Sequence, residues 1–308
     1  MIRSLWQKWN QFWFDPVPLF NLAAFRILFC FTMASMYLGR QMDVELFYTD
    51  AGILPKDLAL KVLPESYRPF AVYSFWPDSW VFAIHAVFVL ILFLMAFGVF
   101  SRWLGFIATF FQLAFLYRNY GVAFGADQIG SLFLFYLAFT QSDARLSFRH
   151  WWRKKRQKSE LSGDLLTSVF YRMIQIQLCL VYVYSGMEKL KGSTWWDGTA
   201  IWSVLANSQM VIGDFTWTRH FPLLIVFLSF STLLFELYFP VLVWVQSLRK
   251  YLLMAGVLFH AGIGIFMALW SFALLMVSPY ILFLSEESLL KFMEKCRHCW
   301  LRLKMRQS

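Results

Sequence analysis

Charged residues are scarce in this chain. Only 15% of its 308 residues are Asp, Glu, Lys or Arg, whereas soluble domains contain about 25%. Hydrophobic residues make up 59% of the sequence and aromatic residues 20%. This balance excludes an ordinary soluble globular domain, and it predicts an all-α, polytopic integral membrane protein.

Acidic residues are the scarcer charge type, 18 against 28 basic residues, which gives a formal net charge of +10. The basic residues gather in a few short segments between apolar runs, a pattern typical of cytoplasmic loops rather than of a nucleic-acid surface. The most basic of these segments covers residues 142–158. We expect it to contact the anionic headgroups of membrane lipid, and we expect no nucleic-acid partner.

Cysteine is also rare. Cys30 and Cys179 fall inside apolar segments, where a thiol packs as a small hydrophobic group. Cys296 and Cys299 form a single CxxC pair without a second pair, which supports a zinc site only weakly. We therefore expect no metal.

Long apolar runs organise the chain. They predict a helical bundle of about eight transmembrane helices, which fills residues 17–285 of a single domain covering 1–308. Residues 1–16, rich in Trp and Phe, predict an interfacial helix instead of a cleavable signal peptide, and residues 286–308 a basic amphipathic tail. The gap before the last run is short, so one of the final two helices could be re-entrant. The eight runs are 18–38, 79–100, 103–117, 128–140, 166–186, 221–245, 251–268 and 271–284.

Charge distribution predicts the orientation. With eight spans and a cytoplasmic N-terminus, every strongly basic segment falls on the cytoplasmic side, and so does the C-terminus. The polar stretches that carry glycine and tryptophan then fall on the outer face. We expect a functional site near that periplasmic or extracellular face.

Two lysines lie where the fifth run ends. Lys189 is placed at a depth where a charged amine is costly, so it reaches water, pairs with an acid, or loses its proton. The last option would make Lys189 a base. Glu188 and Lys191 are three residues apart and could form an ordinary helix pair.

Other polar residues in or beside the apolar runs allow two interpretations. Arg26 could form a structural ion pair inside the bundle, or it could contact an anion or a quinone oxygen. Asp127 could cap a helix that begins near Gly125, or it could belong to a site. Gln177 and Tyr184, seven residues apart, share one helix face. A lone histidine on an apolar helix is more often a packing residue than a ligand. The further candidates for supporting or substrate-binding roles are Asn119, Gln128, Trp196 and His260.

One segment resembles a known family. The order Gln, Tyr, Gly, Lys-Leu, Trp, Gly is very similar to that of vitamin K-dependent γ-glutamyl carboxylases, in the membrane domain called HTTM. Here it is formed by Gln177, Tyr182 and Tyr184, Gly186, Lys189-Leu190, the Trp195-Trp196 pair and Gly198. The resemblance runs from about residue 14 to 284. It implies that Lys189 matches the family's catalytic base, Arg26 a first-helix arginine and His260 a seventh-helix histidine. Asp127-Gln128 stands where the carboxylases have Asn-His.

The resemblance also implies a chemistry. A neutral lysine deprotonates a reduced quinone of the vitamin K hydroquinone type, and the quinone reacts with O2 to give a strong base and then an epoxide. That base removes a proton from a Glu-containing peptide or protein, and CO2 adds to the carbanion. A site sheltered from water favours a neutral lysine and protects the reactive base.

The sequence departs from the carboxylases in three ways. Asp127-Gln128 removes or replaces a proton donor, and Glu188 replaces a second lysine and would hold Lys189 protonated if it lay close. The carboxylases' β-rich part does not follow the last span, as in bacterial members, so we expect a bacterial inner-membrane protein. The competing hypothesis is a non-enzymatic HTTM protein serving transport, immunity or partner anchoring.

Overall fold

A computed structural model describes residues 2–71, 73, 76–159 and 161–307. These residues form helices and connecting turns, and no β-strand occurs among them, which confirms the all-α prediction. The α-helices are α1 Ile2–Phe14, α2 Leu19–Gly39, α3 Val44–Tyr48, α4 Lys56–Val62, α5 Asp78–Ala96, α6 Ser101–Arg118, α7 Gly125–Ala138, α8 Phe148–Lys155, α9 Leu165–Leu190, α10 Ser193–Trp196, α11 Ala200–Leu205, α12 Pro222–Leu242, α13 Gln246–Met267, α14 Trp270–Val277 and α15 Glu286–Gln307.

Each of the eight apolar runs forms a helix. In the described part of the chain, five helices are long and apolar enough to cross a membrane: α2 with its continuation to Tyr48, α5, α9, α12 and α13. A sixth span results if the bent pair Trp270–Phe283 and Glu286–Lys295 counts as one crossing. The 14 residues of α7 cover about 21 Å at 1.5 Å per residue, less than the roughly 30 Å hydrocarbon core. α6 has sufficient length but carries Arg102, Gln112 and Arg118.

The chain divides into two compact units, and the division falls within α9. Unit 1 comprises Met1–Arg172 and Tyr280–Ser308. Its centre is α2, of whose 21 residues 13 are buried. Phe25 and Phe29 of α2 pack against Phe133 of α7 with ring centroids 5.8 Å apart. A Cβ at Gly105 would lie 2.8 Å from the Cα of Ala138, so glycine is what lets α6 approach α7.

Unit 2 comprises Met173–Pro279, which includes the second half of α9 with α12, α13 and α14. α13 and α14 meet closely where a Cβ at Gly264 would lie 2.6 Å from the ring of Trp270. The connection before α12 contains two short α-helices, α10 and α11.

Candidate acid–base site

Lys189 lies in the last turn of α9. Its Nζ donates a hydrogen bond to Ser185 Oγ at 2.7 Å, one helical turn earlier. The same nitrogen lies 3.0 Å from Oε1 and 2.8 Å from Oε2 of Glu236 on α12, which is an ion pair. The ring of Trp195 covers Nζ at 5.4 Å from its centroid. Lys189 therefore pairs with an acid, which is one of the three options that the sequence left open.

Burial of the two partners is unequal. The Glu236 side chain is 5% exposed and the Lys189 side chain 23%. A buried carboxylate is costly without a counter-charge, so Glu236 depends on Lys189 more than Lys189 depends on Glu236.

A close approach of α9 and α12 makes the pair possible. A Cβ at Gly186 would lie 2.9 Å from Leu237 Cδ2 and 3.4 Å from the Cβ of Glu236. Glycine thus brings the backbone of α9 close to α12, one turn before Lys189.

Tyr182 and His260 form a second buried contact in unit 2. Tyr182 precedes Lys189 by two turns on the same face of α9, and its hydroxyl lies 2.7 Å from His260 Nε2. The Tyr182 ring packs on Phe235 and Phe239 of α12, which flank Glu236 in sequence. His260, assigned by resemblance alone, therefore contacts the same helix that carries the lysine.

Asp127 lies in unit 1, where it caps α7 and pairs with an arginine; its membership of a site stays a prediction. Its Oδ2 accepts a hydrogen bond from the Phe124 backbone N–H at 3.2 Å, which caps α7. Arg40 binds both carboxylate oxygens, at 2.7 Å and 2.9 Å. The Asp127 side chain is 2% exposed, whereas neighbouring Gln128 is exposed.

Arg26 binds backbone carbonyls, not the carboxylate expected for a structural ion pair. Its guanidinium donates to the carbonyls of Ser142, of Leu146 at 2.7 Å and of Ala96 at 3.3 Å. Arg26 precedes Arg40 by 14 residues of α2, about 21 Å along the helix, so it lies far from the carboxylate of Asp127. We call Arg26 a structural clamp, because its one side chain holds the carbonyls of Ala96, Ser142 and Leu146 together, away from Arg40 and Asp127.

The remaining predicted site residues have local roles. The Asn119 amide donates to the carbonyl of Phe47 at 2.9 Å. Tyr184 is 70% exposed and, two residues from Tyr182, points away from the buried face of α9. Gln177, partly buried, shares the face of Tyr184 and not that of Lys189. Trp196 is 61% exposed and donates to the carbonyl of Leu190, so Trp195 is the tryptophan that covers Lys189.

Glu188 pairs with Lys191 at 2.6 Å, as the spacing suggested. This hydrogen bond raises the pKa of Lys191 above its ordinary value, and both side chains are well exposed. The acid that faces Lys189 is Glu236. The sequence raised the concern that Glu188 would hold Lys189 protonated, and that concern applies to Glu236 instead.

Sequence reasoning missed Glu236 and Arg40 as partners. The available signal for Glu236 was a charged residue in the middle of an apolar run, which usually marks a partner or a function. Its partner lies 47 residues away in the chain, and no sequence pattern supplies that distance.

Metal ligands do not cluster in the described residues: no three His, Cys, Asp or Glu side chains there could share an ion. Cys30 and Cys179 are free thiols. The side chains of Cys296 and Cys299 lie outside the described part, so the weak zinc interpretation stays a prediction.

Fold and site together define an all-helical membrane protein with a lysine–glutamate pair at the end of one span. The chain is 30% identical over 169 residues to the sporulation-delaying protein SdpB of Bacillus subtilis strain 168, covering 52% of this chain and 51% of that protein. It is 25% identical over 183 residues to the uncharacterized protein YitO of the same strain, covering 57% and 59%. The chain thus spans little more than half the length of these curated relatives.

No family model and no solved structure matches the chain. Membership of the HTTM family therefore stays a prediction that rests on the residues around Lys189.

Proposed function

We propose that this chain is a membrane-embedded, carboxylase-like enzyme in which Lys189 is the base that deprotonates a reduced quinone. The observation that carries the proposal is the Lys189–Glu236 ion pair. It joins an amine that remains partly exposed at the end of α9 to a carboxylate that is almost completely buried.

Glu236 provides a way to obtain a neutral amine. In a low-dielectric interior, burial disfavours both charges, and the proton of an ammonium–carboxylate pair can move to the carboxylate. The proton on Lys189 Nζ would pass to Glu236 and leave a lone pair on nitrogen. Removal of a substrate proton by that lone pair would restore the ammonium beside Glu236, still protonated, and loss of the Glu236 proton resets the site.

The residues around Lys189 fit a reduced quinone, which has a flat ring and weakly acidic hydroxyl groups. Lys189 supplies the base, and the Trp195 ring supplies a flat apolar surface beside it. When bound, the reduced quinone together with O2 supplies the strong base needed for proton abstraction from a Glu-containing peptide or protein and its carboxylation by CO2. Tyr182 packs α9 against α12, and its contact with His260 joins α9 to α13. Asp127, Gln128, Asn119 and Arg26 keep only supporting roles in the proposal.

We infer HTTM membership and eight membrane crossings as parts of the same proposal. Adding α6, α7 and α14 with its following 3₁₀ segment to the five long spans gives eight helices from eight apolar runs. Eight crossings put the strongly basic segments on one side, with both termini cytoplasmic. We place the chain in a bacterial inner membrane: the similarity to two Bacillus subtilis proteins supports a bacterial source, and the long apolar helices support a membrane location.

The test is formation of quinone epoxide by purified protein in detergent, supplied with reduced vitamin K, O2 and bicarbonate. Loss of a general base lowers rates by about 100-fold to 10,000-fold, and we expect that loss for Lys189→Ala. Lys191→Ala is the matched control, since Lys191 also ends α9 and also pairs with a glutamate, but in solvent. It should keep wild-type activity. Absence of epoxide from folded wild-type protein with several quinones, or equal loss in both variants, would contradict the proposal.

A second candidate function is favoured by the complete set of contacts around Lys189. Ser185 accepts a hydrogen bond from the Lys189 ammonium, Glu236 supplies its counter-charge, and the Trp195 ring covers it. A purely structural ion pair would have the same contacts. The chain would then be a non-enzymatic membrane protein for transport, immunity or partner anchoring. Replacing both partners by methionine, Lys189→Met with Glu236→Met, keeps the volume and removes the charges, so a structural pair predicts a stable protein with unchanged function.

A further inference from the structure

A cleft of about 390 Å³ lies in unit 1 where α8 meets the turn between α5 and α6. This volume is within the range of about 300–1,000 Å³ found for small-molecule sites. Its lining residues belong to unit 1, whereas the residues discussed above for proton transfer belong to unit 2. The lining residues are Gly98, Val99, Phe100, Phe148, Arg149 and Trp152.

The backbone fixes the shape of the cleft. Gly98 has a positive φ of 72°, and a Cβ there would lie 2.2 Å from the Cβ of Ser147. The Phe148 backbone N–H donates to the carbonyl of Phe97 at 2.9 Å. The start of α8 is thus attached to the α5–α6 turn, and glycine is required for their contact.

The cleft is apolar inside, and two arginines accompany it: Arg149 lines the cleft and pairs with Asp143, and Arg156 contacts the lining residue Trp152. Phe100, Phe148 and Trp152 contribute exposed aromatic surface. Arg149 donates a hydrogen bond to Asp143 at 3.0 Å, and Arg156 stacks on Trp152 with its guanidinium 4.5 Å from the ring centroid. α8 itself, FRHWWRKK, contains no acidic residue.

Position relative to the apolar helices identifies the environment. α5 ends at Ala96 and α6 begins at Ser101, so the cleft opens at the end of a membrane span. Trp103 is 70% exposed and Phe97 57%, and exposed aromatic residues at a span end are typical of the lipid interface.

We propose that this cleft binds one anionic phospholipid, with an acyl chain against Val99, Phe148 and Trp152 and the phosphate beside Arg156 and Arg149. An apolar cleft accompanied by two arginines at the membrane surface matches both parts of such a lipid. The inference goes beyond general attraction of basic loops to headgroups, because it assigns a defined site. It does not depend on the proton chemistry of Lys189.

The test is native mass spectrometry of lipid-depleted protein titrated with phosphatidylglycerol or phosphatidylcholine. Wild type should retain one phosphatidylglycerol in preference to phosphatidylcholine. Arg156→Gln should weaken that binding about fivefold, the factor for one basic residue at a membrane surface. Lys154→Gln removes the same charge two residues from Trp152, on the opposite side of α8, and should leave binding unchanged.

A third variant tests the acyl-chain contact separately. Val99→Trp fills the cleft without changing charge, and it should abolish retention of the one tightly bound lipid in protein whose melting temperature matches wild type. Equal weakening by Arg156→Gln and Lys154→Gln would overturn the proposal in favour of general electrostatic attraction. Retention by Val99→Trp, or displacement by equimolar glycerol 3-phosphate, would also overturn it.

Discussion

Individual charged residues within the apolar helices have specific partners. Arg26 binds three carbonyls, Arg40 binds Asp127 through two hydrogen bonds, and Lys189 binds Glu236. Unpaired charges in such surroundings would be costly, so each pairing is a condition for folding. Arg40–Asp127, Arg149–Asp143 and Lys189–Glu236 each join a buried acid to a partly exposed base. The base of the last pair is a lysine, which can lose its proton, whereas arginine cannot.

Arg26→Met tests the clamp. It leaves three carbonyl groups without their donor, and at about 1–3 kcal/mol for each unsatisfied group the cost should exceed about 3 kcal/mol. Arg26→Lys should rescue little, because an ammonium cannot reproduce the planar fork. The measurement is the melting temperature in detergent.

Arg68→Met is the control for that comparison, since Arg68 forms an exposed pair with Glu65 at 3.5 Å. Its melting temperature should stay close to wild type, as for surface ion pairs in general. Equal effects of Arg26→Met and Arg68→Met would refute a clamping role for Arg26.

At the level of elements, the beginning of α9 is fixed by Asp164. Its carboxylate accepts hydrogen bonds from the Thr167 backbone N–H at 2.9 Å and from Arg102 at 2.7 Å. Burial raises the pKa of Asp164, and the hydrogen bonds from Thr167 and Arg102 lower it. The lowering outweighs the effect of burial, so the pKa of Asp164 lies below its ordinary value. The helix that carries Lys189 therefore has an acid-sensitive N-terminus.

The lowered pKa predicts a pH dependence of stability. A group with a depressed folded-state pKa stabilises the protein above its unfolded pKa of about 3.9, and this contribution disappears as pH falls through the folded-state pKa. Wild type should melt higher than Asp164→Asn at pH 6, and the difference should shrink as pH falls below about 4. A difference in melting temperature that stays constant from pH 6 to pH 3 would contradict this role.

Helix positions were largely predictable, since each of the eight apolar runs contains a helix. The largest differences are in the last two runs, where α13 begins at Gln246 and not at 251, and α14 ends at Val277 and not at 284. Partners were not. The sequence suggested the Glu188–Lys191 pair because it is local, but it missed Glu236, which meets Lys189 only through the packing of α12 on α9. It also chose Trp196 in place of Trp195, because the choice depends on how the chain turns after α9.

At the scale of the whole molecule, the topology proposal requires eight crossings, and five helices among the described residues have the length and composition of spans. The number of crossings decides on which side each loop lies. α6 and α7 are the helices whose short or polar character leaves the count open to experiment.

Cysteine accessibility tests the topology. With Cys296 and Cys299 replaced by serine, and with Cys30 and Cys179 buried, a single cysteine at Lys154 should resist a membrane-impermeant thiol reagent in intact cells. A cysteine at Asp214, in the connection before α12, should react. The reverse pattern, or reaction at both positions, would contradict eight crossings with cytoplasmic termini.

The most direct test of Lys189 as a base is epoxide formation by Lys189→Arg. Arginine keeps the positive charge and can retain the ion pair with Glu236, but it cannot be deprotonated in a protein. A catalytic base predicts a folded variant with a wild-type melting temperature and activity lowered at least about 100-fold. A folded Lys189→Arg protein that forms epoxide at the wild-type rate would show that Lys189 is a structural ion-pair partner and not the base.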